Sequence, residues 1–262
     1  MKSSGVIVTG TASPVCVLTT TLNRTMTRIQ KSPWLALMGL LFVLASTPAL
    51  MGRATGKTIP DGPDALPPTS ILFSKDFQQG PYERFKITID QLGRGKFEAK
   101  PRDGELIARD LQVSQDTMRR LLNSFESAQF LSSTREYESH VKVADMGMKT
   151  IALEQNGRSR EVRFNYTFDK NMATVADLFG GLVTTQLRLA ALENAKKYDR
   201  LGLPDELNAL QAELNNRWLV DAELLIPLLT EIANNHAFFN VVQRQARQLI
   251  QQIESATPSS RK

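Results

Sequence analysis

Residues that commonly build disulfides and metal sites are scarce in this 262-residue chain. It has one cysteine, Cys16, and two histidines, His140 and His236. A single cysteine excludes a disulfide framework and a cysteine-based metal knuckle. Two histidines leave too little imidazole for a histidine-rich metal site. The sequence therefore predicts no cofactor.

The common catalytic and nucleotide-binding motifs are also missing. The chain has no G-x-S-x-G elbow, no H-E-x-x-H helix, no Walker loop and no strand-linked G-x-G-x-x-G. Gly93–Lys96 looks like part of a phosphate loop. It stands between two alternating segments and leads into no helical pattern, so a hairpin turn is favoured. The sequence assigns no catalytic residue.

Acidic residues are absent from the first 54 positions. Residues 1–54 hold five basic side chains and no Asp or Glu. Subtracting these five from the 32 basic residues of the chain leaves 27, against 27 acidic residues, in residues 55–262. The net charge of +5 therefore belongs to the N-terminal segment, and a neutral remainder predicts no nucleic-acid partner.

The N-terminal segment has the parts of a secretory signal peptide. Trp34–Ala45 is an uncharged apolar run, Arg28 and Lys31 precede it, and small residues follow it up to Ala49. The run is shorter than the ~20 apolar residues that cross a bilayer. We predict an exported protein, periplasmic or secreted; the alternative is an uncleaved N-terminal membrane anchor.

The boundaries of this leader, residues 1–54, remain open in the sequence. The segment that starts at Met26 already supplies the complete basic region that precedes the apolar run of a signal peptide, so we predict that translation starts at Met26. The alternative is a signal peptide with an unusually long basic region. Cleavage is compatible with positions after Ala49 or Ala54. Residues 55–69 hold four prolines and two glycines, a composition that predicts a linker.

Within residues 70–168, apolar and polar side chains alternate in five segments, which predict an antiparallel sheet with one wet face. These segments are those around Ile71 and Phe73, over 84–90, around Phe97 and Ala99, over 149–154 and over 161–166. Ser114 offers an N-cap for an amphipathic helix over 115–130. Asn156-Gly157 separates two further alternating segments and predicts a hairpin. This part of the chain is predicted to be an α+β domain with one helix packed on its sheet.

Residues 169–256 follow a period of 3.6 and predict an all-α segment. The pattern gives one long helix over 172–197, or two helices broken near Gly180-Gly181. Three more helices follow. Their predicted buried stripes include Trp218 and Phe239.

One family resemblance covers residues 71–166. It is carried by Pro81–Ile89, by a glycine turn, by a helix ending in Phe125–Phe130, and by Ala144-Asp145 ahead of the hairpin. These features resemble a small exported bacterial domain of unknown function. Members of that family commonly have a cysteine pair where this chain has Phe77–Gly80. The resemblance implies an exported α+β domain and supplies no activity.

The best candidate for chemistry is an acidic group around His140. On an extended segment Glu136, Glu138 and His140 would point the same way, with Asp145 nearby. Oxygen ligands with one imidazole would suit a divalent cation or a Glu–His acid–base pair. A solvated loop edge is the alternative interpretation and the one we favour.

These observations favour a non-enzymatic, exported interaction or structural module. Its expected partner is another exported or envelope protein, bound through the helical segment, and contact with a membrane is expected only through an uncleaved leader. The alternatives are an exported metal-dependent hydrolase and a small-ligand-binding protein, since a ligand pocket leaves no linear motif.

Overall fold

A computed structural model describes residues 69–256 of the chain. The predictions for the signal peptide, the start at Met26, the cleavage position and the linker lie outside these residues, apart from Thr69, which begins the first strand. The elements in chain order are β1 (Thr69–Asp76), β2 (Tyr82–Asp90), β3 (Arg94–Pro101), β4 (Ile107–Gln112), α1 (Gln115–Ser127), β5 (Met148–Gln155), β6 (Arg158–Phe164), α2 (Lys170–Tyr198), α3 (Leu203–Asn215), α4 (Ile226–Asn234) and α5 (Asn240–Ala256).

The strands form one six-stranded sheet in the order β4-β3-β2-β1-β5-β6, with every neighbouring pair antiparallel. Alternate side chains of each strand point to the same face, and one face is covered by helices. The side chains buried there are Ile71, Phe73, Phe85, Ile87, Ile89, Phe97, Ala99, Leu111, Ile151, Leu153 and Phe164. The predicted α+β class, with helices after the sheet, is confirmed.

Strand β4 is the one strand of residues 69–256 that the sequence analysis did not find. Its sequence, IARDLQ, places Arg109 in the middle of the apolar phase, and only Leu111 is buried. An edge strand pairs on one side only and needs less apolar surface than a central strand. The alternation of apolar and polar residues in β4 is therefore too short to predict a strand.

Two local predictions are confirmed at the level of the backbone. Ser114 is the N-cap of α1, and its hydroxyl accepts a hydrogen bond from the Thr117 amide. The β5–β6 turn has Asn156 and Gly157 at φ of 54° and 73°. Positive φ at both central residues is the geometry that matches the twist of a two-residue hairpin.

Helix α2 runs without a break from Lys170 to Tyr198 and connects the two halves of the structure. Its first half packs on the sheet, where the Phe179 and Phe73 rings stack with centroids 4.7 Å apart. Its second half joins the core of α3, α4 and α5. Within 69–256 it alone is long and apolar enough to cross a membrane, but 56% of its apolar window is buried inside the protein.

The helical segment corrects two predicted core positions. Trp218 is 60% exposed because α3 ends at Asn215, before the expected stripe reaches it. Phe239 is 68% exposed, and its neighbour Phe238 is buried instead. Helix α5 begins only at Asn240, so helical spacing does not apply to Phe239.

Side chains from the helical segment fasten it to the sheet layer. Asp221, which has a φ of 55°, accepts hydrogen bonds from the amide and hydroxyl of Ser114 and from the hydroxyl of Thr117. Arg109 on β4 makes a two-pronged ion pair with Glu193 on α2. These contacts tie α1 and the sheet edge to the part of the chain that follows.

Candidate functional site

The four acidic and histidine residues singled out from the sequence do not converge. Glu136, Glu138 and His140 are exposed on one groove beside Phe168, whereas Asp145 lines a different groove. Residues 69–256 contain no group of three or more His, Cys, Asp or Glu side chains that could hold a metal ion. The metal site therefore gains no geometric support.

Two of these carboxylates order the loop between α1 and β5. An oxygen of Glu138 accepts a hydrogen bond from the Asn165 amide at 2.6 Å, and Asp145 accepts one from the Gly147 amide at 2.9 Å. Asn165 in turn holds the loop by accepting from the Met146 amide and donating to the Ala144 carbonyl. The loop that carries the acids is thus pinned to the end of β6.

The pinned loop covers two lysines at the end of the sheet, which we call the lysine corner. Lys75 on β1 and Lys149 on β5 are direct partners in the antiparallel register and lie on the helix-covered face. Directly opposed residues in such a pair have Cβ atoms about 5 Å apart. Two cations are therefore held side by side at the margin of an apolar core.

The two amines of the lysine corner have different surroundings. Lys149 Nζ donates to the Asn165 carbonyl at 2.6 Å and to the Gly147 carbonyl at 3.4 Å. Lys75 Nζ lies 4.9 Å from the centre of the Phe77 ring and, within residues 69–256, meets no hydrogen-bonding oxygen. Lys149 thus holds the loop through two hydrogen bonds, whereas Lys75 makes no such bond to the described residues.

Burial lowers the pKa of both lysines. Loss of hydration lowers the pKa of the Lys75 amine, and the nearby Asp145 carboxylate partly opposes this by raising it. The pKa of Lys149 is lowered first by burial and then by the charge of Lys75, against the carboxylates of Glu138, Asp177 and Asp145. The charge of Lys75 thus disfavours the charged form of its cross-strand neighbour Lys149.

A groove of about 470 Å³ opens next to the lysine corner. Phe77 and Asp145, the neighbours of Lys75, are part of its wall. Its full lining is Asp76, Phe77, Gln78, Val143, Asp145, Met148, Arg163 and Asn165. The groove brings apolar surface, an amide and both signs of charge within reach of a small molecule.

The sequence analysis missed both lysines, although their sequence carries a signal. Lys75 is in phase with Ile71 and Phe73, and Lys149 is in phase with Ile151 and Leu153. A charge that continues the buried phase of a strand must face the core or its margin. Charged residues of this kind can therefore be recognised from their position in the alternating pattern, even where no sequence motif is present.

A second candidate surface lies at one end of the helical segment. The α2–α3 and α4–α5 connections meet there, as Arg200 lies over the Phe238 ring at 5.9 Å and Lys196 pairs with Glu231. Four large side chains in or directly next to these connections are more than half exposed. They are Tyr198 (71%), Leu201 (81%), Phe239 (68%) and Val241 (55%), and we call them the helical end patch.

Three basic side chains lie close in the chain to the helical end patch. Lys197, Arg200 and Arg244 are exposed beside it, and two acidic residues, Asp199 and Asp205, are also close in the chain. One oxygen of Asp199 accepts a hydrogen bond from the Gly202 amide, so this carboxylate is engaged within the turn. The rim of the patch is therefore weakly cationic.

Comparison with known proteins adds no relative to this picture. No protein-family model matches the chain, and no curated protein matches it.

Proposed function

We propose that this chain is an exported, non-enzymatic interaction module that binds an apolar and acidic segment of a partner protein through the helical end patch. Export rests on the leader in residues 1–54. The partner surface rests on one structural observation: four large side chains in or next to the α2–α3 and α4–α5 connections are each more than half exposed, where the contact of Arg200 with the Phe238 ring brings the two connections together.

Most large apolar side chains of the helical layer are buried, although Trp218, outside the patch, is also 60% exposed. Leu203, Leu207, Leu210, Leu229 and Ile232 are fully buried a few residues from the patch. Single exposed apolar residues are normal, but a grouped set marks a contact surface. Connections between helices also tolerate such residues without loss of the core, because the fold does not depend on their burial.

The chemistry of the partner follows from the patch and its rim. Tyr and Phe are well suited to the centre of an interface because they bury a large area with few rotatable bonds. Lys197, Arg200 and Arg244 favour a partner that brings carboxylates to the edge. An amphipathic acidic segment satisfies both requirements.

The proposal is tested with a photoreactive amino acid placed at position 201 or 239 in producing cells. Glu161, exposed on the open face of the sheet, is the control position. We expect one exported protein to be crosslinked from 201 and 239 and not from 161. No product from either patch position would contradict the proposal.

Binding measurements between this protein and the purified partner then show whether the crosslinked partner contacts the patch directly or only lies near it. Leu201→Asp should weaken binding by about 10- to 100-fold, because burying a leucine contributes about 1.5–3 kcal/mol. Leu106→Asp is the matched control, since Leu106 is 56% exposed in the β3–β4 connection. Equal effects of the two variants would refute a specific patch. Leu201-dependent binding to anionic vesicles, without a protein partner, would replace the proposal by a membrane contact.

A metal-dependent hydrolase based on Glu136, Glu138, His140 and Asp145 is the less favoured alternative, because these side chains line two separate grooves. A thermal-shift scan of the protein with divalent cations tests it. Stabilisation that disappears in a Glu138→Ala/His140→Ala variant would revive the hydrolase, and no response to any cation would remove its remaining basis.

A further inference from the structure

We propose that the edge strand β6 pairs with β6 of a second copy of this chain, so that two six-stranded sheets join across a twofold axis at Val162. The pairing is antiparallel and brings Glu161 of each copy opposite Arg163 of the other. This goes beyond the proposed partner binding, and it uses a different part of the fold from the helical end patch.

The argument begins with the backbone of β6. The two residues that flank a two-residue hairpin turn form a hydrogen-bonded pair, and such pairs recur at every second residue of an antiparallel ladder. In the β5–β6 hairpin this alternation directs the backbone groups of Ser159, Glu161 and Arg163 away from β5. Within residues 69–256 these outward groups meet no other strand and no other hydrogen-bonding partner. They are thus available to a further strand.

The loop between α1 and β5 contacts β6 without using these groups. It accepts hydrogen bonds from the Arg160 side chain and from the amide of Asn165, which is the next outward position after the strand. The strand also has no proline, and its register with β5 is unbroken. Proline and bulges are common ways of blocking a sheet edge. The edge of β6 is therefore open over residues 159–163 and ends at Asn165.

Two charges on β6 are unmatched by the rest of the sheet. Elsewhere on the open face a charged side chain can find its partner on the neighbouring strand, as Asp76 does with Arg84. Glu161 and Arg163 are exposed on the same face, but the residues opposite them on β5 are an alanine and a threonine. Neither forms a salt bridge within residues 69–256. Cross-strand partners for these charges can come from the outer side of β6.

The charges select one register for two β6 strands. Directly opposite residues of an antiparallel pair share a face, and opposite charges there are favourable whereas like charges are not. An axis at Glu161 or at Arg163 sets that residue against its own copy. An axis at Val162 instead forms two Glu161–Arg163 pairs. Because both residues have outward backbone groups, the same register supplies four backbone hydrogen bonds.

The other edge of the sheet does not have this self-complementarity. Strand β4 has two charged residues, Arg109 and Asp110, which are adjacent in sequence and so lie on opposite faces. No register of two β4 strands can therefore set one directly against the other. Arg109 is also already paired with Glu193. The pattern of charges thus favours β6 as the edge that recognises its own copy.

Sedimentation equilibrium of the purified full-length protein measures this association. We expect a reversible dimer that weakens as salt is added, because exposed ion pairs are screened. Glu161→Arg and Arg163→Glu each convert both opposite-charge pairs into like-charge pairs, so each should raise the Kd of the dimer at least about tenfold. Asp110→Arg, the same kind of change on the edge strand β4, is the matched control and should leave the Kd unchanged.

Recombining the two reversals tests complementarity directly. An equimolar mixture of the Glu161→Arg and Arg163→Glu proteins should form a mixed dimer, because each strand then presents one sign of charge to the other. The double variant Glu161→Arg/Arg163→Glu should dimerise with itself, since the two residues have only exchanged places. This variant has the net charge of the wild type, so general charge attraction does not explain its recovery.

Disulfide trapping measures the register. In a Cys16→Ser background, Val162→Cys places two thiols at the axis, where Cα atoms of a non-hydrogen-bonded pair lie about 4.5 Å apart, within reach of a disulfide. Glu161→Cys is the control, because its two copies would be offset by two residues and lie about 8 Å apart. Oxidation should therefore crosslink the Val162→Cys protein faster.

Any of four results would overturn the proposal. They are a wild-type chain that stays monomeric, single reversals that weaken the dimer no more than Asp110→Arg does, no recovery in the mixture or the double variant, and faster trapping from position 161 than from 162. None of these results alters the capture of a partner from position 201. Position 161 remains the control there, because a product formed at 161 would be this chain itself.

Discussion

Two adjacent glycines in α2 should respond in opposite ways to the same substitution. Gly180 and Gly181 share a helix interior, and alanine gains about 0.5–1 kcal/mol over glycine there through helix propensity alone. At Gly180 an added Cβ meets no atom within 4 Å. Gly180→Ala should therefore stabilise the fold by about that amount.

At Gly181 the same methyl group collides with the segment that follows α3. Its Cβ would lie 2.4 Å from Val220 Cγ2 and 3.2 Å from the Val220 backbone nitrogen. Val220 cannot move away easily, because its carbonyl accepts a hydrogen bond from the Thr185 hydroxyl at 2.7 Å. Overpacking of this kind costs about 1–3 kcal/mol, which exceeds the propensity gain.

The two variants should thus differ in free energy of unfolding by about 2 kcal/mol, with the wild type between them. For a fold of this size that corresponds to a separation in Tm of at least about 4 °C. Thermal unfolding followed by circular dichroism measures it. A Gly181→Ala variant as stable as Gly180→Ala would refute the close approach of Val220, and Val220→Ala should recover part of the loss at Gly181.

Two further predictions concern the contacts between the layers. Asp221→Ala should lower the free energy of unfolding, measured in urea, by about 3 kcal/mol, because it removes three hydrogen bonds and places alanine at positive φ. Asp221→Asn keeps an acceptor and tolerates that φ, so it should cost only about 1 kcal/mol. Equal losses in the two variants would contradict this prediction. The hydrogen bond from Arg109 lowers the pKa of Glu193 from its ordinary 4.5, so this pair stabilises the fold above that pH and loses its effect as pH falls through the lowered value. The deficit of Glu193→Gln, about 1 kcal/mol or less because Glu193 is 43% exposed, should therefore shrink from pH 6 to pH 3, and a deficit independent of pH would be inconsistent with the pair.

The sequence predicts the elements whose signal is local. Strands β1, β2, β3, β5 and β6 follow from alternation, α1 from its cap and stripe, and the β5–β6 hairpin from Asn156-Gly157. Each of these depends on residues close together in the chain. Where the signal was weak, as in β4 with Arg109 in its apolar phase, the element was missed.

The candidate sites depend on distant parts of the chain, and the sequence reached them only in part. The acidic residues 136–145 were noticed as a group, but Glu138 contacts Asn165, which lies 27 residues further along the chain, and Asp145 lies near Lys75 on the distant strand β1. Helical spacing placed Phe239 in the core because the start of α5 could not be located to the residue. A difference of one residue along the chain separates the buried ring of Phe238 from the exposed ring of Phe239.

Helix α2, which begins just after the boundary predicted near residue 168, contributes to two separate cores. Its first half contributes Phe179 and Leu182 to the core under the sheet, and its second half contributes Leu192 to the core of the later helices. A helix that is buried by one core in its first half and by another in its second half carries apolar residues along its whole length. This apolar composition, together with its length, gives α2 the dimensions of a membrane-spanning helix. Burial against two cores accounts for that composition without a bilayer.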